Sequence, residues 1–392
     1  MKIYDKKNSQ HDNNKNNIET QPSAVALVHD FLLYRGGAEK VLREMKKVFP
    51  PAPIYTLLKQ EERQFNRYLK ADNIQTSFLQ KFPKFLRKRH RWLLPFMPTA
   101  IETFNLRDYD LVISSSSAFA KGLVVKSKTI HISYIHAPMR YVWDWNKEYL
   151  EEKKLKGKMK LLTRLFLNYL RMWDRLSAER PDHLIANSHY TAERIRKYYR
   201  RPAKVIYPPV EVNKFSPSRK NAGYFFTVSR LVPYKRVDLL IQVFQKLNLP
   251  LVIVGDGPEK KRLQKMIKSD KNIKILGWVS DKQKVKLMER ARAFISATED
   301  DFNISIVEAM AAGKPVITLK KGGAKETMIE GVTGEFFSVA TVEMIADAIG
   351  RFKENENNYD YQQIRKRAEE FSAEIFRQKL KKFVEEKLSR KK

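Results

Sequence analysis

The chain has 392 residues, of which 76 are Lys or Arg and 44 are Asp or Glu, so its formal net charge is +32. This length suits about two or three domains, and 43% hydrophobic residues exclude a largely disordered chain. The chain contains no cysteine, which excludes disulfides, thiolate catalysis, cysteine-ligated zinc and iron–sulfur clusters. The charge favours a polyanionic partner: a nucleic acid, an anionic membrane or a phosphorylated substrate.

The N-terminal segment, residues 1–23, is rich in Asn and Lys and has no apolar run. We predict a disordered tail there rather than a signal peptide. No window holds about 18 uninterrupted apolar residues, which predicts that no helix spans a membrane. We therefore expect a protein that is soluble or peripheral to a membrane, and cytoplasmic.

After this tail, short β-branched runs alternate with longer helix-like stretches. The runs cover 25–30, 54–58, 111–114, 131–136, 183–188 and 204–207, and then 224–230, 251–256, 273–277, 293–298 and 316–319. Such alternation is typical of doubly wound parallel sheets, so the two series predict an α/β chain with two Rossmann-like domains.

The break between the two series lies at Pro208-Pro209 and the polar stretch that follows it. We predict an N-terminal domain at 24–208, a linker at 209–221 and a C-terminal domain at 222–370. The cleft between the carboxyl ends of the two sheets is then the expected ligand site.

The last segment, 371–392, is predicted to be a helix. Its apolar residues at 376, 380, 383, 384 and 388 share one helical face. We expect this face to pack back on the N-terminal domain.

Two basic segments combine positive charge with aromatic residues. Residues 78–98 read FLQKFPKFLRKRHRWLLPFMP and contain no acid. Residues 153–176 are basic too, and their apolar stripe consists of Leu155, Met159, Leu162, Phe166, Tyr169, Trp173 and Leu176. Both segments fit an anionic membrane, where rings enter the headgroup layer and each Lys or Arg adds about 1 kcal/mol. They equally fit helices that bury the stripe in the domain core, and the sequence leaves both interpretations open.

A basic loop follows the first strand of the second series. Arg230 and Lys235 lie between this strand and the next helix, where unpaired backbone N–H groups and the helix dipole favour an anion. A guanidinium fork and a compact ammonium together suit a diphosphate. Taken alone, the loop is also consistent with an ordinary solvated basic turn.

An acidic run, Glu299-Asp300-Asp301, follows a later strand, and Glu308 comes near the start of the next helix. The three adjacent carboxylates repel one another and are consistent with simple charge balance in so basic a chain. A lone carboxylate such as Glu308 can accept two hydroxyl hydrogen bonds, as from a ribose.

Taken together, these motifs resemble the retaining glycosyltransferases of family 4, which have the two-domain GT-B fold. The resemblance rests on HDFLLYRGGAEKVL (29–42), LVISSSSAFAKG (111–122), YIHAPMRYVWD (134–144), ANSHYTAERIRKYY (186–199), VIYPPVEVNKF (205–215), SRLVPYKRVDLL (229–240), VGDGPE (254–259), DDFNISIVEAMAAGKPVI (300–317) and GGAKETM (322–328). In order and spacing they are most similar to the subgroup that includes O-antigen mannosyltransferases.

The resemblance implies roles for the C-terminal residues. Arg230 and Lys235 match the diphosphate-binding pair, and Glu308 matches the second Glu of the family's Glu–seven residues–Glu motif, which binds the nucleotide ribose. Asp300 stands where the first Glu would be, and Glu299 beside it could substitute. Further donor contacts are expected from Asn303, which replaces the usual Gly, and from Ile304.

The N-terminal motifs imply a second group of residues. His136 matches the active-site His near the donor sugar, and Gly36 and Gly37 match a loop that borders donor and acceptor. We expect Arg140 and Tyr141, just after His136, to contact the acceptor.

The implied reaction transfers a hexose from a nucleotide diphosphate sugar to a hydroxyl with retention of the anomeric configuration. No bound cofactor is expected, and GDP-mannose is the expected donor co-substrate. Because Asp300 and Asp301 are adjacent, they do not form the Asp-x-Asp pair of metal-dependent sugar transferases, so we expect no catalytic metal. The resemblance also implies a lipid-linked or saccharide acceptor at the cytoplasmic face of the membrane. The protein would then be peripheral at the inner face of the plasma membrane, which the two basic segments would contact.

Two other functions fit part of the sequence. Asp300 and Asn303 depart from the family pattern, which would suit a relative that binds a nucleotide sugar without transferring it. The charge alone would suit a nucleic-acid-binding protein, but no recognised binding motif is present, so no nucleic acid is expected as partner.

Overall fold

The aliphatic runs of the first half form one parallel sheet. The computed structural model describes residues 24–60, 64–71, 73–144 and 157–389, so the tail at 1–23, Leu155 and residues 390–392 lie outside the described residues. The strands described here are β1 Val25–Leu32, β2 Ile54–Lys59, β3 Ile74–Thr76, β4 Leu111–Ser116, β5 Ile130–Ile135, β6 His183–Ala186 and β7 Lys204–Val205. Their order in the sheet is β3-β2-β1-β4-β5-β6-β7, and all these neighbours pair in parallel.

The second half forms another parallel sheet. Its described strands are β8 Phe225–Val228, β9 Leu251–Val254, β10 Ile273–Gly277, β11 Ala293–Ser296, β12 Val316–Leu319 and β13 Gly334–Phe337, in the order β10-β9-β8-β11-β12-β13. The predicted α/β architecture of two Rossmann-like domains is therefore confirmed. Each sheet reverses its strand order once, between β1 and β4 and between β8 and β11, and ligands of such sheets bind at this point.

Helices cover both sheets. In chain order the described helices are α1 Gly37–Val48, α2 Gln64–Leu69, α3 Lys84–Lys88, α4 Met97–Glu102, α5 Gly157–Ser177, α6 His189–Tyr199, α7 Val237–Leu247, α8 Lys260–Met266, α9 Asp281–Glu289, α10 Ile304–Ala311, α11 Ala324–Thr327, α12 Val342–Asn355, α13 Tyr361–Glu369 and α14 Ala373–Ser389. Several begin at a capping side chain: the hydroxyls of Ser188, Ser280 and Thr341 each accept a backbone N–H of the first turn.

The C-terminal helix α14 returns to the N-terminal domain, as the sequence predicts. Its apolar face is buried at Phe376, Leu380, Phe383 and Val384. These side chains pack in one cluster with residues of α1, including Val41, and with the strands of the first sheet. This helix therefore ties the end of the chain to the first domain.

Helix α5 does not bury the stripe that its sequence suggests. Met159, Leu162, Tyr169 and Leu176 are exposed, and of this stripe only Trp173 is buried among the residues described. The contacts with the domain core come from a neighbouring line of side chains, Leu167, Leu170, Trp173, Asp174 and Ser177. The interpretation that this stripe packs in the domain core is therefore wrong. The contacts are made by a face of the helix that is rotated from the stripe by part of a turn.

The other basic segment, 78–98, is broken into short helical turns rather than one helix. Leu79, Leu93 and Met97 are buried, whereas Phe85 and Trp92 are about 60% exposed. Within the described residues, no helix is both long and apolar enough to cross a membrane.

Candidate active site

The carboxyl ends of the two sheets face each other across a cleft of about 1450 Å³. Because parallel strands end at the same edge of a sheet, the loops after β1, β4 and β5 meet those after β8, β9 and β11. The candidate residues that line the cleft are Gly36, Gly37, His136, Arg140, Tyr141, Arg230, Lys235, Asp300, Asn303, Ile304 and Glu308. Glu299 is the candidate that does not line it.

The loop after β8 supplies two cations. The guanidinium of Arg230 lies 5.1 Å from the centre of the Tyr34 ring, and no carboxylate of the described residues is within ion-pair distance of it. Lys235 ends a short turn before α7, and its Nζ lies 2.8 and 2.6 Å from the two carboxylate oxygens of Asp300. Arg230 is therefore exposed to an anion in the cleft, whereas Lys235 is already held in place by Asp300.

The acidic run fixes its own loop and reaches the other domain. Gly322 packs so closely that an added Cβ would lie 2.2 Å from the Asp300 carbonyl oxygen, and its φ of +62° favours glycine. The Asp301 carboxylate accepts hydrogen bonds from Arg140, at 3.1 and 2.5 Å, and from Arg194. Burial alone would lower the pKa of Arg140, but the attraction of Asp301 and Asp300 outweighs it and the pKa is raised. Arg140 is thus committed to Asp301 across the cleft.

The sequence predicts a donor contact for Glu299, but its carboxylate binds a residue of the N-terminal domain. Its carboxylate accepts a 2.7 Å hydrogen bond from the Tyr190 hydroxyl of α6. Glu326, from the GGAKETM motif, caps the same helix, since its carboxylate accepts the backbone N–H groups of His189 and Tyr190 at 2.8 Å. Both acids therefore connect the second domain to the first outside the cleft lining.

Glu308 lies in α10 and is 5% exposed. Its carboxylate is bound by Lys40 of α1 and by Lys284 of α9, the latter at 3.0 and 2.8 Å. Burial would raise the pKa of Glu308, but the two ammonium groups outweigh it and lower the pKa to about 2. Asn303 begins this helix with φ of +63°, the left-handed conformation that asparagine tolerates. Glu308 is therefore an anion throughout the neutral range.

His136 is held at the end of β5 by bonds to its neighbours. Its Nε2 lies 2.8 Å from the Ser115 hydroxyl of β4, and its carbonyl accepts a 2.8 Å hydrogen bond from the Asn187 side chain. Burial, together with the nearby His29, lowers the pKa of His136 to about 3. The ring is therefore neutral at physiological pH and can act as a hydrogen-bond donor or acceptor but not as a cation.

The glycine loop brings the two walls into contact. Gly36 precedes α1, and its N–H donates a 2.8 Å hydrogen bond to Glu39 in the first turn. A Cβ added to Gly37 would lie 2.9 Å from Cδ1 of Ile304, at the start of α10. The absence of a side chain at 37 therefore lets α1 and α10 approach, which also lets Lys40 reach Glu308.

Several residues of the site were not predicted. Lys40 and Lys284 are the partners of Glu308. Lys40 lies in the motif HDFLLYRGGAEKVL, one turn after the glycine pair, but was not singled out, and Lys284 lies in none of the motifs. Asp30, which follows His29 in β1, accepts four backbone N–H groups of residues 117–120 and so fixes the loop after β4. Within the described residues, no cluster of three or more His, Asp or Glu side chains has the arrangement of a metal site.

Two family models match nearly the whole chain between them. "Glycosyltransferase Family 4" matches residues 35–214, and "Glycosyl transferases group 1" matches residues 211–371. The boundary between the two matches falls in the predicted linker.

Individual relatives and a solved structure agree with this assignment. The chain is 28% identical over 192 residues to D-rhamnosyltransferase WbpZ of Pseudomonas aeruginosa, covering 45% of the chain and 49% of the relative. It is 27% identical to a GDP-mannose-dependent monoacylated phosphatidylinositol monomannoside mannosyltransferase of Corynebacterium glutamicum, covering 42% and 53%. The chain thus spans about half the length of these curated relatives. Anabaena Alr3699/HepE in complex with UDP-glucose superposes with a TM-score of 0.67 at 20% identity, covering 92% of the chain and 99% of that structure.

The fold, the facing sheets and the family matches agree: the chain belongs to the family 4 glycosyltransferases and has the GT-B fold.

Proposed function

We propose that the protein is a retaining glycosyltransferase that transfers mannose from GDP-mannose to a lipid-linked or saccharide acceptor, in cell-surface polysaccharide synthesis. The observation that carries the proposal is the cleft itself. It sets the cations Arg230 and Lys235 and the anion Glu308 on one wall, with the neutral His136 on the other. This arrangement matches the parts of a nucleotide sugar: a diphosphate, a ribose and a hexose.

The strongest catalytic contribution is expected at the diphosphate. When the bond between the sugar C1 and the β-phosphate oxygen breaks, negative charge grows on the leaving diphosphate. Arg230 faces the cleft without a carboxylate partner among the described residues, and Lys235 lies at the start of α7, where the helix dipole also favours an anion. Cations fixed in advance at this position stabilise the transition state without reorganisation.

We propose a front-face substitution. The acceptor hydroxyl oxygen forms its bond to C1 on the face from which the diphosphate leaves, and its proton passes to the departing phosphate oxygen. Asp300 binds Lys235 with both carboxylate oxygens, which favours a role in orienting this lysine over a role as nucleophile. Since no metal is needed to neutralise the leaving group in this scheme, we expect full activity in the presence of a chelator.

The relatives support the choice of donor. One is named as GDP-mannose-dependent and another as a D-rhamnosyltransferase, while a structural neighbour is described with UDP-glucose. A panel of nucleotide sugars, scored by thermal shift and by donor hydrolysis, tests the choice. We expect GDP-mannose to give the largest shift and the fastest hydrolysis; a preference for UDP-glucose would overturn the choice of donor, and no response to any donor would overturn the proposed activity.

We further propose that one face of the N-terminal domain docks on an anionic membrane. Helix α5 and segment 78–98 pack on the same hydrophobic cluster, so both lie on one side of the first sheet. Their exposed apolar side chains are Phe78, Phe85, Trp92, Phe96, Met159, Leu161, Leu162, Leu165, Tyr169, Met172 and Leu176. Basic side chains flank them in both segments, which complements anionic headgroups.

This face adjoins the cleft. The pKa of His90, in segment 78–98, is lowered first by burial, then by the charge of Arg91 and then by the charge of Arg230. His90 therefore lies near Arg230. A lipid-linked acceptor lying in the membrane would therefore meet the protein beside the proposed diphosphate site.

Flotation with liposomes tests the membrane proposal. Vesicles that contain phosphatidylglycerol should carry the protein upward, whereas neutral phosphatidylcholine vesicles and a DNA fragment at the same salt should not bind it. Replacing Leu161 and Leu165, both exposed, by Ser should release it, and the same change at Ile329 and Val339, which are exposed on the C-terminal domain, serves as control. Equal binding of both variants, or tighter binding to DNA, would contradict the proposal.

A second function is favoured by one observation. Asp300, which is shorter than the expected Glu, engages the lysine of the diphosphate site directly, which would suit a protein that binds a nucleotide sugar without transferring it. If this is so, Asp300→Glu should raise the transfer rate by about tenfold or more, while leaving donor binding unchanged. A lower rate in Asp300→Glu would instead support the transferase with its native aspartate.

A further inference from the structure

Three adjacent strands of the first sheet place a line of polar side chains behind His136. In the register of β1 and β4, His29 is the direct partner of Ser115. The Ser115 hydroxyl lies 3.0 Å from Nδ1 of His29 and 2.8 Å from Nε2 of His136. His29 and Ser115 are almost completely buried, so water does not compete for these contacts.

The line continues to the first turn of α1. Glu39 lies with one carboxylate oxygen 3.6 Å from Nε2 of His29, while its other oxygen accepts the N–H of Gly36 at 2.8 Å. The chain of groups is therefore Glu39, His29, Ser115 and His136. It begins beside the glycine loop and ends at the cleft.

For a neutral His29, the positions of the protons follow from the donors and acceptors available. A serine hydroxyl has one proton, so Ser115 donates to only one of the two imidazoles. The carboxylate of Glu39 favours an N–H at Nε2 of His29, which leaves Nδ1 of His29 as the acceptor of the Ser115 proton. The Ser115 oxygen must then accept the Nε2–H of His136.

We propose that Glu39, His29 and Ser115 are positioning residues that hold His136 in its Nε2–H tautomer, with Nδ1 as the hydrogen-bond acceptor offered to the cleft. Nδ1 of His136 has no hydrogen-bond partner among the described residues, and His136 lines the cleft. An acceptor there suits a sugar hydroxyl, whose proton it would receive in a hydrogen bond. This last step rests on the proposed function, but the tautomer itself does not.

NMR of the full chain labelled with ¹⁵N-histidine reads the tautomer without any substrate. The ring signals of His136 are identified by their loss in His136→Gln. We expect Nε2 to carry the proton and Nδ1 to show the shift of an unprotonated nitrogen. A proton on Nδ1 would overturn the proposal, because it would mean that Ser115 donates to His136 instead.

Variants separate positioning from structural support. In Ser115→Ala the ¹⁵N chemical shifts of the two ring nitrogens of His136 should approach each other. In Glu39→Gln the same change should occur, but only in part. Ser115→Thr keeps a hydroxyl and should restore the wild-type shifts. If Ser115→Ala leaves the His136 shifts unchanged, the proposal fails.

The neighbouring residue supplies a matched control. Ser114 is as buried as Ser115 and also bonds a histidine, since its hydroxyl lies 2.8 Å from Nε2 of His131, but His131 does not line the cleft. Ser114→Ala should leave both the His136 shifts and the transfer rate at the wild-type level. Ser115→Ala should lower kcat about tenfold with donor KM unchanged, as for one oriented hydrogen bond. If no donor is turned over by any variant, the proposed function fails while the tautomer result stands.

Discussion

The two walls of the cleft differ in the kind of group they present. The C-terminal wall presents charge: Arg230, Lys235, Asp300 and Glu308. The N-terminal wall presents glycine backbone and the neutral ring of His136. Two charged side chains that come from the N-terminal domain, Lys40 and Arg140, are paired with carboxylates of the opposite wall.

In the proposed reaction, this difference would divide the chemistry between the domains. Fixed charges suit the wall that must stabilise a leaving diphosphate, where a low-dielectric cleft strengthens each interaction. Neutral donors and acceptors suit the wall that must orient a sugar, because they discriminate by geometry without attracting every anion. The division also predicts that substitutions on the two walls should differ in size and in the kinetic parameter they change.

The largest effect should come from the cations of the C-terminal wall. Arg230→Ala or Lys235→Ala should lower kcat by at least about 100-fold, because each removes charge stabilisation from the leaving group. Lys246→Ala, which removes an exposed lysine at the far end of α7, should leave the rate unchanged. Steady-state transfer assays measure both, and wild-type turnover in Arg230→Ala would show that this wall does not carry the charge stabilisation.

A smaller loss is expected at Glu308. Glu308→Gln removes the carboxylate that would accept two ribose hydroxyls, so donor KM should rise about 10- to 30-fold, as for two hydrogen bonds of about 1 kcal/mol each. Glu335 offers a matched control, since it is equally buried but binds Tyr359 and Arg351 away from the cleft. Glu335→Gln should lower stability without changing donor KM; an equal KM for Glu308→Gln and wild type would remove Glu308 from the donor site.

The neutral wall can be tested through the pH dependence of stability. The pKa of His136 is lowered to about 3 by burial and by His29, so between pH 3 and its ordinary value of 6.5 the unfolded chain binds a proton that the folded chain does not. The free energy of unfolding should therefore rise with pH in this window, by about 1.4 kcal/mol per pH unit for each such histidine. His136→Gln should reduce this slope by that amount in urea titrations at pH 4 to 6.

His131 sharpens the same test. Its pKa is likewise lowered to about 3 by burial, but it lies away from the cleft. His131→Gln should therefore reduce the pH slope as much as His136→Gln does, while leaving the transfer rate intact. An unchanged slope in His136→Gln would mean that its ring titrates normally and is open to water.

The two walls also differ in how far the sequence predicts them. The charged wall is built from short motifs, so Arg230, Lys235 and Glu308 can be found from their own neighbours, and the structure places them together in the cleft. The contacts of the neutral wall depend on strand register: His29 and Ser115 are 86 positions apart and meet only because β1 and β4 are neighbours. No local pattern contains this information.

Two short strands and the orientation of helix α5 were not predicted either. The strand Ile74–Thr76 has only three residues, too few to show a pattern, and Gly334–Phe337 contains a glycine and a glutamate and no β-branched residue. On helix α5 the periodicity reveals an apolar face, but the face that packs is chosen by the shape of the sheet beneath it. Periodicity alone therefore predicts the helix and not its orientation.

The smallest effect should arise where the two walls touch. A Cβ at Gly37 would lie 2.9 Å from Cδ1 of Ile304, the flexible tip of a side chain, so Gly37→Ala should lower the rate only about threefold. Ile304→Val removes this methyl group and should restore the rate when combined with Gly37→Ala, a coupling that a double-mutant cycle measures. Gly350→Ala, where an added Cβ meets nothing within 4 Å, controls for the loss of glycine itself and should leave the rate unchanged. If the double variant is as slow as Gly37→Ala alone, the approach of α1 to α10 is not limited by this contact, and the two walls are set apart by their ion pairs instead.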